Sequence, residues 1–267
     1  LKALADSNVP HPAVRAVCAE PSVLGASFYL MDFVDGWSPI GAPHWPEPFG
    51  SDLGARQGLA FELVDAIAQL SRVDWRARGL EGLGRPEGFH DRQVDRWYAH
   101  LRQFEFREIP GLKEAGDWLQ GHRPRNYQPG IMHGDYQFAN VMFHHGGPAR
   151  LAAIVDWEMG TIGDPLLDLA WVVMGWPDEG EVRTGGYVDY TGMPNRDDLL
   201  HRYATVSGRD VDDIDYYVIL ARFKLAIVLE GGYARYVNGG ADNPRMEAFG
   251  GVVLDLAARA AELVRTI

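Results

Sequence analysis

Between Gly130 and Val173 the sequence sets five polar residues, His133, Asp135, Asn140, Asp156 and Asp168, into otherwise apolar, strand-like surroundings. Their spacing constrains the fold more than any other stretch. Ile131 and Met132 end a short apolar run, His133-Gly134-Asp135 turns the chain, and Val141-Met142-Phe143 begins another run. Asp135 and Asn140 should therefore flank one tight loop. Gly146-Gly147-Pro148 supplies a hairpin turn, and Leu151 to Val155 reads as the returning strand, which delivers Asp156 beside that loop. A carboxylate, an amide oxygen and a second carboxylate then converge. Oxygen ligands of this kind suit Mg2+, a hard cation usually completed by waters and phosphate oxygens.

Phosphoryl transfer needs such a set: an Asp to accept the proton of the attacking hydroxyl, and an Asn and a second Asp to hold metal. In protein kinases the loop Asp and Asn are five residues apart and a separate Asp-Phe-Gly follows. Asp135 and Asn140 have that separation, and Asp156-Trp157-Glu158 stands where Asp-Phe-Gly would. With His133-Gly134-Asp135 and the run DWEMGTIGDPLLDLAW, the chain resembles the aminoglycoside phosphotransferase and choline kinase superfamily. It is especially similar to the phosphotransferase-like domains fused to some acyl-CoA dehydrogenases.

The resemblance implies Asp135 as catalytic base, Asn140 and Asp156 as Mg2+ ligands, and His133 as a residue that steadies the loop. It implies that Asp168 accepts hydrogen bonds from the loop backbone, and that the backbone of Asp32 and Val34 forms a hinge against an adenine edge. The residues taken singly have simpler readings. An Asp after His-Gly is an ordinary turn residue, and an Asp ending a strand is often a helix cap. Asp164 before Pro165 reads as a plain helix start. For the ordered set, order, spacing and strand context coincide, which favours the catalytic reading.

The expected fold is α+β and protein-kinase-like, with a small β lobe incomplete at the N-terminus and a large, mainly helical lobe. Residues 1–36 form the small-lobe remnant and hinge, and residues 37–267 the large lobe with catalytic loop and metal site. The expected function is a small-molecule kinase that uses ATP or GTP as co-substrate with Mg2+ and phosphorylates a hydroxyl. Among acceptors, the similarity tilts toward a hydroxyacyl or acyl-CoA-related metabolite rather than an aminoglycoside. A pseudokinase or nucleotide-binding module, and a metal-dependent hydrolase, remain alternatives.

Composition narrows the classes further. A net charge of -12 over 267 residues argues against a nucleic-acid binder working through a basic surface. One cysteine, Cys18, excludes an internal disulfide and a Cys-rich zinc site and fits a reducing cytoplasm. No run is long and apolar enough to span a membrane.

Before the hinge, Leu1 to Ala5 looks like the end of a helix, and Val14 to Cys18 and Phe28 to Val34 read as strands joined by a turn at Pro21 to Gly25. A kinase also uses a Gly-rich loop and a strand lysine. Lys2 is the only lysine in this region and no Gly-rich loop precedes the hinge, so an N-terminal segment is expected to be missing from this sequence. Trp37 to Phe49 is a Pro- and Gly-rich loop. Asp52 should cap a helix with Leu59, Leu63, Ile67 and Leu70 on its core face. Helices are expected over Phe89 to Phe106, with Arg92, Arg96 and Arg102 on a solvated face, and over Leu112 to Leu119. Beyond Asp168, a buried helix runs to Met174, Asp178 to Gly192 reads as a mobile loop, and Asn195 or Asp197 starts a helix to Ser207. Asp213 to Asn238 forms the longest helix, interrupted or narrowed at Gly231-Gly232. Pro244 opens the last, with Phe249, Val252, Val253, Leu256 and Leu263 as its core face.

Overall fold

The computed structural model describes residues 1–40, 44–177, 188–240 and 243–267. Most of the loop predicted over Asp178 to Gly192 lies outside the described residues, as do three positions of the loop after Trp37. In chain order come a 3-10 turn Lys2–Leu4, β1 (Val14–Cys18), β2 (Phe28–Met31), α1 (Leu53–Ser71), a 3-10 turn His90–Arg92, α2 (Gln93–Leu101) and α3 (Leu112–Gly121). Then follow β3 (Gly130–Met132), a 3-10 turn Phe138–Asn140, β4 (Val141–Phe143), β5 (Leu151–Ile154), a 3-10 turn Trp157–Met159, β6 (Thr161–Gly163) and α4 (Leu166–Val173). The chain ends with α5 (Arg196–Ser207), α6 (Ile214–Val237) and α7 (Pro244–Thr266). No helix among the described residues is long and apolar enough to cross a membrane.

Two compact units divide these elements. The first holds residues 1–84 and 129–210, the second residues 85–128 and 211–267.

The first unit carries three two-stranded antiparallel sheets. β1 pairs with β2, and β3 pairs with β6 so that Ile131 faces Ile162. β4 pairs with β5, Val141 opposite Ile154, as the Gly146-Gly147-Pro148 turn predicts. The sequence did not announce β6, a three-residue strand ending in Gly163. Asp52 caps α1 by accepting from the N–H groups of Gly54 and Ala55. Each such cap contributes about 1 kcal/mol. The predicted face of α1 is buried, but so are Ala60, Val64, Ala66 and Ala68, because α5 packs on one side and β3, β5 and α4 on others. The helix is therefore a central strut rather than an amphipathic cover.

The second unit contains α2, α3, α6 and α7. The helix predicted from Phe89 begins as a 3-10 turn and stops at Leu101. Arg92, one of the arginines on its predicted solvated face, donates to the carbonyls of Glu87 and Arg85. Asp213 and Asn238 bound α6, which runs through Gly231-Gly232 without interruption. At Gly232 an added Cβ would lie 2.9 Å from the Phe249 ring, so the glycine serves close packing. The predicted core face of α7 needs correction: Val252 is exposed, and the buried stripe is Gly250, Val253, Ala257, Ala260 and Ala261. Small side chains let α6 and α7 approach, which turns the larger ones outward.

Glu230 on α6 is 1% exposed and receives a bidentate contact from Arg107, at 2.7 Å to Oε1 and 2.6 Å to Oε2. Removing one partner of such a pair leaves a charge uncompensated in the core. Arg107→Met is expected to lower stability by about 3 kcal/mol in urea unfolding, and adding Glu230→Met should restore most of it. A loss below about 1 kcal/mol for the single variant would contradict this.

Candidate active site

The site grows from the carboxylate of Asp168 in α4. Asp168 is 1% exposed, and its oxygens accept the His133 N–H at 2.6 Å and the Gly134 N–H at 2.8 Å. Hydrogen bonds to an ionised acceptor are stronger than neutral ones. They hold the turn after β3 against α4. The start of α4 is fixed in turn by Asp164, whose side chain accepts the Leu166 N–H at 3.2 Å, with Pro165 at the cap, so that the helix begins one residue later than predicted. Gly134 sits at φ +86, and a Cβ there would lie 2.5 Å from the Met159 carbonyl oxygen. Only glycine suits that position.

His133 is fully buried and ties the loop to the neighbouring turn. Its Nε2 donates to the Val155 carbonyl at 2.8 Å, and its Nδ1 accepts a long 3.4 Å bond from the Asp135 N–H. This pattern selects the tautomer with the proton on Nε2. The ring packs against Trp157 at 5.0 Å and Tyr136 at 5.8 Å between centroids. The Tyr136 hydroxyl donates to the Leu63 carbonyl at 2.8 Å, and burial, reinforced by Asp168, holds its pKa well above the usual phenol range. The tyrosine thus stays a donor and joins the loop to α1.

Asp135 is oriented from both sides. Oδ1 accepts from Gln137 Nε2 at 3.0 Å, and Oδ2 accepts from Asn140 Nδ2 at 3.0 Å. Asn140 Nδ2 also donates to the Asp135 carbonyl at 2.7 Å. Both of these bonds use the amide nitrogen, so Oδ1 is the Asn140 atom left to bind a ligand.

Asp156 comes one residue beyond the Val155 N–H, which donates to the Asn140 carbonyl at 2.9 Å. It adopts φ 61 and ψ 60, a left-handed conformation that is uncommon outside glycine. Such strain costs on the order of 1–3 kcal/mol. Its side chain is exposed and caps no helix, despite standing before the turn Trp157–Met159. Asp156, Trp157 and Glu158 line a cavity of about 610 Å³ with Val14, Val17 and Tyr29 of β1 and β2, and with Lys2.

At the hinge candidates, the Asp32 N–H donates to the Ala13 carbonyl at 2.9 Å. Its carboxylate meets Arg15, Nη2 to Oδ2 at 2.6 Å, which holds Asp32 below the usual carboxylate range. The backbone then pins to β4 through reciprocal bonds between Trp37 and Phe143, at 2.9 and 2.7 Å. Among the described residues no group of three His, Cys, Asp or Glu closes into a metal cluster. The oxygens that could serve a metal here are Asn140 Oδ1 and the Asp156 carboxylate.

One residue escaped the sequence reading: Gln137, two positions after Asp135, could have been suspected from that spacing. Trp157, read only as the aromatic after Asp156, donates its Nε1 hydrogen to the Ile154 carbonyl at 2.9 Å.

Comparison with known proteins gives this geometry its class. Residues 1–202 match the phosphotransferase enzyme family, and the chain belongs to that family. Acyl-CoA dehydrogenase family member 11 of Gallus gallus is 31% identical over 278 residues, covering 100% of this chain and 35% of that protein. The chain therefore spans about a third of the length of such curated relatives. A solved structure from Ralstonia eutropha, described as a candidate aminoglycoside phosphotransferase, is 30% identical with a TM-score of 0.85, over 98% of this chain and 80% of that one. The GDP complex of aminoglycoside 2'-phosphotransferase-IIIa shares the fold at a TM-score of 0.62 and 13% identity, over 95% of this chain and 77% of that one. The kinase-like fold expected from the catalytic stretch is thereby shown.

If Asp168 organises the loop, Asp168→Asn should leave one of the two buried N–H groups without an acceptor and lower stability by about 2 kcal/mol. Amide exchange should accelerate at His133 and Gly134. Unchanged protection at both amides would contradict that role.

Proposed function

We propose that this chain carries the core of a small-molecule kinase, which transfers the γ-phosphoryl group of ATP or GTP to a substrate hydroxyl. The observation that carries the reading is the asymmetry of the site's oxygens. Asp135 is held by Gln137 and Asn140, whereas Asn140 Oδ1 and the Asp156 carboxylate make no hydrogen bond among the described residues. An amide oxygen and a carboxylate beside a cavity suit Mg2+, which takes one or two carboxylates and completes its shell with water and phosphate oxygens. The GDP complex of a fold neighbour supports a nucleotide co-substrate.

In this reading Asp135 orients the hydroxyl and accepts its proton as the new O–P bond forms and the bridging O–P bond to the nucleotide breaks. Asn140 and Asp156 would hold Mg2+, which neutralises charge on the phosphoryl oxygens when bound. Positioning supplies most of the rate. The cavity under β1 and β2 would receive the nucleotide, with the Asp32 carbonyl and the Val34 backbone as hinge contacts, since the Asp32 N–H is already donated to Ala13. Residues 1–36 then act as a small-lobe remnant and residues 37–267 as the large lobe. Similarity to acyl-CoA dehydrogenase relatives favours a hydroxyacyl acceptor over an aminoglycoside.

Transfer of labelled phosphate from ATP to hydroxyacyl thioesters tests the assignment. Asp135→Asn is expected to reduce transfer by about 10²–10⁴-fold while leaving Mg-nucleotide affinity intact, and Asp156→Asn to weaken Mg-nucleotide binding itself. Full transfer by both variants would overturn these roles.

A further inference from the structure

A second cavity, of about 220 Å³, lies beside the loop that carries Asp135. Gln137, which donates to Asp135 Oδ1 at 3.0 Å, is one of its lining residues. Its remaining walls come from Leu63, Phe138, Trp171, Trp176, Val188 and Tyr190, with Val172, Met174 and Gly175 completing them. None of these side chains is charged. An apolar cavity of about 150 Å³ already accommodates benzene in another protein, so this one has room for a short alkyl or aryl group.

One wall is held from outside by Arg56 on α1. Arg56 is 8% exposed, and its Nη1 donates to the Asp189 carboxylate at 2.7 Å and to the Thr191 carbonyl at 3.1 Å. Its Nε donates to the Phe49 carbonyl at 2.8 Å, and the guanidinium lies 4.6 Å from the Trp45 ring centroid. Asp189 also accepts the Thr191 N–H at 3.0 Å. Between these two residues Tyr190 packs edge-on against Trp176 at 4.7 Å, and Trp176 stacks near Phe138 at 6.1 Å. Gly192 seals the attachment: at φ +82, a Cβ there would lie 2.5 Å from the Leu53 carbonyl oxygen. The segment therefore sits tightly against the start of α1.

We propose that this cavity receives the apolar body of the hydroxyl acceptor, and that Arg56 is a positioning residue that fixes its Val188–Tyr190 wall. The proposal rests on the reading of Asp135 as the base, because Gln137 joins that carboxylate to the cavity. It implies that acceptors with an apolar alkyl or aryl group next to the hydroxyl are preferred over polycations, for which the lining offers no carboxylate among the described residues.

The test uses 2-phenylethanol as probe and the indole N–H resonances of Trp171 and Trp176 as reporters. Titration should shift both saturably. Arg56→Met is expected to weaken binding about tenfold, while Asp189→Asn, which keeps an oxygen acceptor for Arg56, stays close to wild type. Arg202→Met serves as control, since it removes another ion pair to α1, Arg202 to Asp65 at 2.6 Å, away from the cavity wall. Absence of a shift at both indoles, or equal weakening by Arg56→Met and Arg202→Met, would overturn the proposal. Mg-ATP binding measured on the same samples separates the two ideas: its loss sinks the phosphotransfer reading, whereas the indole shifts alone decide the cavity.

Discussion

Everything at the site depends on one buried carboxylate accepting two backbone N–H groups. Asp168 is buried, and its carboxylate is stabilised by the His133 and Gly134 amides. Each such bond to a charged group contributes about 1.5–3 kcal/mol. The bonds fix where β3 ends and how the chain leaves it. From that fixed turn follow the left-handed Gly134 and the His133 ring bridging to the Val155 carbonyl.

The surrounding contacts sort the polar atoms into those that hold the loop and those left for chemistry. Asp168, His133 and the amide nitrogen of Asn140 are bound within the protein. The Asp156 side chain and Asn140 Oδ1 are not, and Asp156 holds a strained backbone conformation that capping does not explain. Strain retained without a structural partner is what a preorganised ligand site is expected to show. Membership of the phosphotransferase enzyme family agrees with that chemistry.

Much of this was legible in the sequence because the signals were local. Gly146-Gly147-Pro148 between two apolar runs dictated the β4–β5 hairpin, and that hairpin carries Asp156 to Asn140. Asp52, Asn195 and Asp213 marked helix starts by their capping or preceding positions. What failed depended on tertiary context. A three-residue strand such as β6 has too little period to read, and the face of α7 was misjudged because close approach to α6 favours Gly and Ala over the larger Val252. Gln137 was passed over although its position two residues after Asp135 lets the amide reach back to that carboxylate. Arg56 carries no local signal; its partners Asp189 and Thr191 lie more than a hundred residues later.

The most direct measurement is amide NMR of the protein, as its gene encodes it, titrated with Mg2+ and a non-hydrolysable ATP analogue. The account requires nucleotide and metal together to shift Val34, Asn140 and Asp156, with Gly134 held still by Asp168. If saturating Mg-nucleotide leaves Asn140 and Asp156 unmoved, the site does not hold a metal-bound phosphate and the central claim fails.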